Sequence, residues 1–437
     1  MSTTPSPLLK LRPVPIEVAQ IQGRPALVFV DPARLAGRPV LLPFAFAPIV
    51  QLLDGTRDRA MLAADLAARD DGGWPDDVID EVLDHLHRTF LLDNEVSSAA
   101  LSLAVAAFRD LPARPPVHAD AVYPAHAGRL ADVLDGYLVA VGGHAVGREP
   151  ADMASSVTND GVGPPIEAVD PVDASDIAWP FAFFSPHIDY ARGGLVYAGV
   201  WHHARAAVEA ADIAVLIGTD HQGPAGTWTL TRQSYATPYG TLPTDTAAVD
   251  ALAEAIGADR AFAGELRHRE EHALELIAVW LHHMRGGRPI EVVPVLVGGF
   301  DHFEADPDEP ERDTTVRAAI ERLRATIRGR RALVIASGDL SHVGPAFGQL
   351  PMTDDDLATL RSDDHALLER LCAGDRAGFF APIQHSANRT NICGVAPFWL
   401  TMAVAEATGG TLIDYEQCPA DEDDTSWVSI GGVVLHR

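Results

Sequence analysis

Three histidines follow apolar, strand-like runs, and this position makes them the first candidates for chemistry. His187 ends FAFFSPH, His221 ends IAVLIGTDH and His342 ends ALVIASGDLSH. Because ligands of open α/β sheets bind beyond the carboxyl ends of the strands, we predict that these histidines share one cleft. Neutral imidazole binds zinc, copper and iron well, so His187 and His221 are candidate metal ligands. The alternative is that each histidine is only a polar residue that ends a strand.

The chain of 437 residues contains three cysteines, an odd number that argues against a disulfide framework. Cys393, in TNICGVAP, precedes a helical pattern over about 396–407, and a helix N-terminus favours a reactive thiolate. A buried, inert thiol is the alternative for Cys393. We expect a buried, inert thiol for Cys372, in an amphipathic helix, and for Cys418, in a C-terminal loop.

Two pairs of polar residues are candidates for supporting roles. Asp339 and His342 stand three residues apart in SGDLSH, so a local turn can place both in the cleft for acid–base work. Asp339 is alternatively a helix cap. Glu271 and Glu275 share one face of a predicted helix; either can support a cleft residue, or both can be solvated.

The elements that must position these residues alternate between strands and helices from Phe181 onward. Four short apolar runs, FAFFSPH, IAVLIGTDH, IEVVPVLVG and ALVIASGDLSH, are separated by helical segments. This alternation predicts an α/β domain over 117–437, with a largely parallel sheet flanked by helices. Residues 141–178 are rich in Gly, Pro, Asp, Ser and Ala without periodicity, which predicts a flexible insertion.

The N-terminal part, residues 1–110, is predicted to be a separate small helical domain. Thr56 can cap a helix through Leu66, and Pro75 suits the first turn of the next helix. The order PIVQLLDGTRDRAMLAADLA, then VIDEVLDHLHRTFLLD, resembles the PqqD-like winged-helix domains that bind peptides in modification pathways. A plain helical packing module is the alternative.

Composition narrows the function classes. With 33 basic and 61 acidic residues, the net charge of −28 repels phosphate backbones and anionic lipid surfaces. No segment has the roughly 18 uninterrupted apolar residues that a membrane span needs. We therefore expect a soluble, cytoplasmic protein that binds neither nucleic acid nor membrane.

A series of longer motifs runs in order from Pro186 to Gly432. They are PHIDYARGGLVYAG, IGTDH, YATPYGTLPTD, EEHALEL, VVPVLVG, ASGDLSHVG, NICGVAPF and DTSWVSIGG. In this order they resemble the Memo family, named AmmeMemoRadiSam system protein B in prokaryotes. The resemblance implies a fold like that of the catalytic subunit of class III extradiol dioxygenases, which are non-haem iron enzymes.

The resemblance also implies site residues and a cofactor. Carried over position by position, the family's metal ligands fall on His187, His221 and Cys393. Its cleft residues for acid–base work fall on Asp339, His342 and His272. The implied cofactor is one transition-metal ion, with iron(II) favoured over copper or zinc.

Two positions depart from the family's usual wording. Asp189 stands where PHAGY would have glycine, and Gln222 follows His221 where a second histidine is common. Both departures leave the substrate preference open. Asp189 adds a carboxylate two residues from a proposed ligand, where it would tune the metal or contact a cationic group of the substrate.

Three functions compete at this point. The first is a metal-dependent oxidoreductase that acts on a small aromatic or peptide-borne substrate. The second is a non-catalytic module that binds peptides of the phosphotyrosine type, and the third is a copper- or iron-handling protein. The resemblance further suggests an AMMECR-type protein and a radical SAM protein as partners.

Overall fold

The computed structural model describes residues 7–69, 73–142, 146, 171–304 and 306–437. The chain divides into two compact units, Met1–Asp110 and Leu111–Arg437. Of the predicted insertion at 141–178, residues 143–145 and 147–170 lie outside the described residues.

The N-terminal unit combines short strands with helices. Its strands are β1 (Leu9–Lys10), β2 (Ile16–Ile21), β3 (Arg24–Phe29), β4 (Val40–Pro43) and β5 (Asp54–Arg57). Its helices are α1 (Ala47–Gln51), α2 (Arg59–Arg69), α3 (Asp76–Arg88) and α4 (Glu95–Arg109). Strands β2, β3 and β4 form an antiparallel sheet, and β1 pairs with β5.

The helical prediction for this unit was incomplete, and the expected cap at Thr56 was wrong. The helical prediction omitted its five strands, of which β2 is an edge strand with mostly exposed residues and no buried stripe to reveal it. Thr56 does not cap a helix, because it lies in β5. The helix begins after Asp58, whose carboxylate accepts the N–H of Met61 at 2.9 Å, as an N-cap does.

The C-terminal unit alternates between strands and helices over most of its length. The elements in its first half are α5 (Ala127–Ala140), β6 (Phe181–Ser185), α6 (Tyr190–His203), α7 (Arg205–Ala210), β7 (Ile213–Thr219), β8 (Trp228–Leu230), β9 (Tyr235–Thr237), β10 (Gly240–Leu242), α8 (Thr246–Ile256) and α9 (Ala258–Ala263). Those in its second half are α10 (His272–Met284), β11 (Glu291–Val297), α11 (Glu309–Arg312), α12 (Thr314–Ile327), β12 (Ala332–Ser337), β13 (His342–Val343), α13 (Asp354–Cys372), α14 (Arg376–His385), α15 (Val395–Ala405), β14 (Gly409–Pro419) and β15 (Trp427–His436).

One central sheet organises this unit, in the order β13-β15-β6-β12-β7-β11-β8, with β14 paired to β15. Strands β6, β12, β7 and β11 are mutually parallel, and the remaining strands are antiparallel to their neighbours. The four parallel strands are the four runs that the sequence predicted, so the α/β prediction is confirmed.

Both faces of the sheet are covered. Successive residues of β7 point to opposite faces, so Val215 packs in one hydrophobic cluster with α8, α12 and α15, whereas Leu216 packs in a second cluster with α5, α6 and α10. Burial on both faces explains the unbroken apolar runs of the parallel strands. Within the described part of the chain, no helix has the length and apolar content to cross a membrane.

The sheet order brings three chain segments together. Strands β6, β12 and β7 are neighbours and parallel, so the residues that follow their carboxyl ends meet at one edge. His187 follows β6, Asp339 follows β12 and His221 follows β7.

Candidate metal centre

Two histidines and one cysteine converge at this edge. The possible ligand atoms of His187, His221 and Cys393 all lie within 4.8 Å of one another. Cys393 Sγ lies 3.2 Å from His187 Nε2. Three separate segments therefore deliver two imidazoles and one thiol to a single point, which is a donor set that suits zinc, copper or iron.

The hydrogen bonds of His187 orient its ring for coordination. Its Nδ1 lies 3.4 Å from Ser337 Oγ, and that hydroxyl donates its own proton to Ala273 O at 2.6 Å. Nδ1 must therefore carry the proton, which leaves the lone pair of Nε2 directed at Cys393. Burial lowers the pKa of His187 well below its ordinary value, so the ring is neutral, as a ligand must be.

His221 is held by one carboxylate. Glu271 accepts its backbone N–H at 3.0 Å and its Nδ1–H at 2.9 Å. Burial opposes a charged ring, but the charge of Glu271 outweighs it and holds the pKa of His221 well above its ordinary value. Burial likewise opposes a charged Glu271, but His221 holds the pKa of that carboxyl well below its usual range. This carboxylate–histidine pairing fixes the ring, and an ion that binds Nε2 must displace the proton that the raised pKa keeps there.

Cys393 lies where the sequence predicted, directly before Gly394, which is the N-cap of α15. The expected thiolate is wrong for the metal-free chain, since burial raises the pKa of Cys393 despite its hydrogen bond to His221. Desolvation outweighs the effect of the helix end. The backbone N–H of Asp339 donates to Sγ at 3.3 Å and would also stabilise a metal-bound thiolate.

Asp339 supports His187 rather than capping a helix. Its Oδ1 accepts the backbone N–H of His187 at 2.8 Å, and its Oδ2 lies 3.8 Å from His187 Nε2. No helix follows Leu340, because His342 begins the short strand β13. Burial raises the pKa of Asp339.

His342 is a neutral imidazole with a defined tautomer. Its Nδ1 lies 3.1 Å from the carbonyl oxygens of both Leu340 and Asn391, so this nitrogen donates and Nε2 keeps the lone pair. Burial lowers the pKa of His342, although the charge of Asp339 opposes that shift. Such a ring can accept a proton.

His272 is the first residue of α10 and shares the carboxylate that holds His221. Its Nδ1 lies 3.1 Å from Glu271 Oε1, and its ring stacks on His221 at a centroid distance of 4.7 Å. The ring of His187 is 5.0 Å away. His221, Glu271 and His272 form a second group that could hold an ion.

Other interpretations of the sequence change with the structure. Glu271 and Glu275 are buried, so the solvated alternative is wrong. Asp189 is the N-cap of α6, and its carboxylate pairs with Arg192 at 2.6 Å. Cys418 is buried in β14 and not in a loop.

The sequence analysis missed Arg114 entirely. It stands in the proline-rich segment LPARPP, where nothing in the local pattern distinguishes a buried arginine from a solvated one. In the structure this side chain is fully buried beside Glu275.

A cavity of about 600 Å³ adjoins the centre, and His221 and Cys393 form part of its wall. The wall also carries three phenylalanines and three carboxylates: Phe300, Phe303, Phe380, Asp220, Asp301 and Glu304. Among the described residues that line it there is no lysine or arginine.

Comparisons with known proteins agree with the motif order. The family model described as Memo-like protein matches residues 168–434, a range that contains every candidate ligand. A MEMO1 family protein of Methanosarcina acetivorans is 26% identical over 240 residues, which cover 54% of this chain and 78% of that protein. One from Thermus thermophilus is 34% identical over 162 residues, covering 37% and 43%. One from Aquifex aeolicus is 22% identical over 405 residues, covering 90% and 93%. The chain belongs to the Memo family.

Proposed function

We propose that this protein is a metal-dependent oxidoreductase that binds one transition-metal ion through His187, His221 and Cys393. The observation that carries the proposal is the 3.2 Å approach of His187 Nε2 to Cys393 Sγ, with a ligand atom of His221 in the same 4.8 Å group. The buried imidazole of His187 and the thiol of Cys393 are each oriented by further hydrogen bonds and point at one another, as two ligands of one ion do.

The donor set leaves part of the coordination shell open. Three protein ligands are typical of sites where substrate, water or oxygen takes a further position, whereas purely structural zinc sites are closed by four. A bound ion would hold a substrate oxygen and, as iron or copper, supply a redox step. Two imidazoles with one thiolate suit iron(II), copper and zinc, and the likeness to class III extradiol dioxygenases that the Memo resemblance implies favours iron(II).

The surrounding residues provide groups for proton transfer. His342 is neutral with its lone pair on Nε2, and Asp339 is buried next to His187, so this pair can take up and hold a proton. Deprotonation of a phenol-type substrate is a step that such an imidazole performs. His272 stacks on His221 and is a further proton carrier at the same edge.

The cavity supports a small aromatic or peptide-borne substrate. Its volume of about 600 Å³ suits a drug-sized ligand, and its three phenylalanines offer apolar surface for a ring. Phosphotyrosine recognition normally uses arginine, and the described lining has neither arginine nor lysine. The phosphopeptide alternative is therefore less well supported.

A second candidate is a metal-handling role. The side chain of His221 keeps 32% of its surface exposed, so an ion on this residue would be reachable from solvent for exchange. The PqqD-like character of the N-terminal unit and the AMMECR-type and radical SAM partners remain predictions from the sequence resemblance.

Metal analysis of the full chain tests the proposal. The protein would be purified without chelator or histidine tag, loaded anaerobically with Fe(II), and compared with His187→Ala and His221→Ala. The exposed His385, with no role in the site, supplies the matched control His385→Ala. We expect one ion per chain in the wild type and control and little in the site variants. Equal metal content in all four proteins would overturn the site, and oxygen uptake with phenolic substrates by none of the loaded forms would favour metal handling.

A further inference from the structure

A segment that precedes the family-model match packs against the start of α10; we call residues 111–123 the strap. Its backbone pairs with the start of β9. The N–H of Arg114 donates to Ser234 O at 2.7 Å, and the N–H of Ala236 donates to Arg114 O at 2.9 Å. The family model begins at residue 168, so the strap is outside the matched range.

Arg114 ties the strap to both sides of the turn that begins α10. Its side chain is 0% exposed. Nε donates to His268 O at 2.8 Å and Nη2 donates to Glu271 O at 2.9 Å, while Nη1 donates to the carboxylate of Glu275. A planar guanidinium has its donors in a fixed fork, so these three acceptors are held in one geometry.

The far side of Glu275 is occupied by the strap itself. Its Oε1 accepts the hydroxyl of Tyr123 and the backbone N–H of His118, the latter at 2.9 Å. The His118 ring donates from Nε2 to Glu270 O at 2.9 Å and meets the ring of His272 edge-on, with centroids 5.9 Å apart. Both carboxylate oxygens of Glu275 therefore accept hydrogen bonds from the strap.

We propose that Arg114 is a positioning residue for the metal centre, acting through Glu271. The guanidinium holds the backbone carbonyl of Glu271, and the carboxylate of the same residue holds both N–H groups of His221. Displacing that backbone displaces the carboxylate and turns the His221 ring away from Cys393. The inference rests on the proposed metal site and adds the strap to it.

A purely structural role for Arg114 would lower stability without a specific effect on the ion. Arg285 provides the matched control, because it is a buried arginine at the other end of the same helix, where Nη1 donates to the carbonyl oxygens of Val208 and Ala211. Within the described contacts it touches none of the proposed ligands.

The experiment compares Arg114→Lys with Arg285→Lys in the full chain, with Co(II) as the probe. Lysine keeps the charge but cannot reach all three acceptors. We expect Arg114→Lys to weaken Co(II) affinity about tenfold or more, measured by chelator competition, and to alter the visible spectrum of bound Co(II). Arg285→Lys should stay within about threefold of the wild type and keep its spectrum.

Unchanged affinity and spectrum in Arg114→Lys would overturn the inference. If that variant does not fold, Tyr123→Phe decides the matter, because it removes one hydrogen bond to Glu275. Its control is Tyr415→Phe, which removes a similar bond to the buried Asp364. Weaker Co(II) binding in Tyr123→Phe alone would support the inference, and equal binding would overturn it. A wild type without Co(II) affinity would instead refute the metal site itself.

Discussion

Replacing Glu271 by glutamine should weaken metal binding while leaving the fold intact. Both of its carboxylate oxygens serve His221, with Oε2 accepting the backbone N–H at 3.0 Å and Oε1 accepting Nδ1–H at 2.9 Å. Glutamine must place its NH2 group at one of these two positions, so either rotamer turns a donor toward a donor of His221. One oriented hydrogen bond to the ligand is lost in every case.

The expected magnitude follows from that count. Loss of one partner that orients a metal-bound histidine typically lowers affinity about 10- to 100-fold. This corresponds to about 1.4–2.7 kcal/mol of binding free energy. Loss of the cap bond to the N–H of Ala273, which Oε1 accepts at 3.1 Å, would cost stability of about 1 kcal/mol in one rotamer.

Competition with a chromophoric chelator, with Zn(II) and Co(II) in turn, measures the affinity. The matched control is Glu265→Gln, since Glu265 is a buried glutamate shortly before α10 whose carboxylate accepts the hydroxyl of Thr231 at 2.9 Å. The control should bind metal like the wild type. Affinity of Glu271→Gln within about threefold of wild type would refute the idea that this carboxylate orients the ligand.

Three further predictions concern other residues. Asp339→Asn should retain the ion and change its spectrum; if it loses metal as fully as His187→Ala, Asp339 is itself a ligand. Alkylation of Cys393 should be slow with metal bound and measurably faster after chelation. The buried Cys418 should stay unlabelled in the folded chain in both states. Equal labelling of Cys393 with and without metal would show that it does not bind the ion. Burial lowers the pKa of His268 to about 3, so the native state binds fewer protons than the unfolded state below the ordinary pKa near 6.5. The free energy of unfolding should therefore fall as the pH drops from about 6.5 toward 3, and this residue should contribute up to about 1.4 kcal/mol per pH unit to that fall. His268→Gln should flatten the slope in chelator-treated protein.

The fold and the candidate ligands were accessible from the sequence because both depend on strong local patterns. Strands buried on both faces must be apolar throughout. Polar residues that end such runs therefore lie at the edge formed by the carboxyl ends of the strands. His187 and His221 stand out for that reason. Cys393 was found by its position before a helix and by the family resemblance, although its expected ionisation failed because local charge rules omit desolvation.

The supporting residues were less accessible because their roles depend on contacts between distant segments. Glu271 is 50 positions from His221, and only the packing of the β7 loop on α10 shows that they meet. Arg114 is 161 positions from Glu275, and its proline-rich surroundings carry no periodicity. The edge strand β2 was missed because its residues are mostly exposed, so no buried pattern marks it.

X-ray absorption at the metal edge tests the central claim most directly. Wild-type protein loaded with one equivalent of Zn(II) should show one sulfur neighbour at about 2.3 Å and two imidazole neighbours at about 2.0–2.1 Å. Cys393→Ser should lose the sulfur contribution, and Cys372→Ser should keep it. A wild-type spectrum without sulfur, or an unchanged sulfur contribution in Cys393→Ser, would contradict a metal centre built on His187, His221 and Cys393.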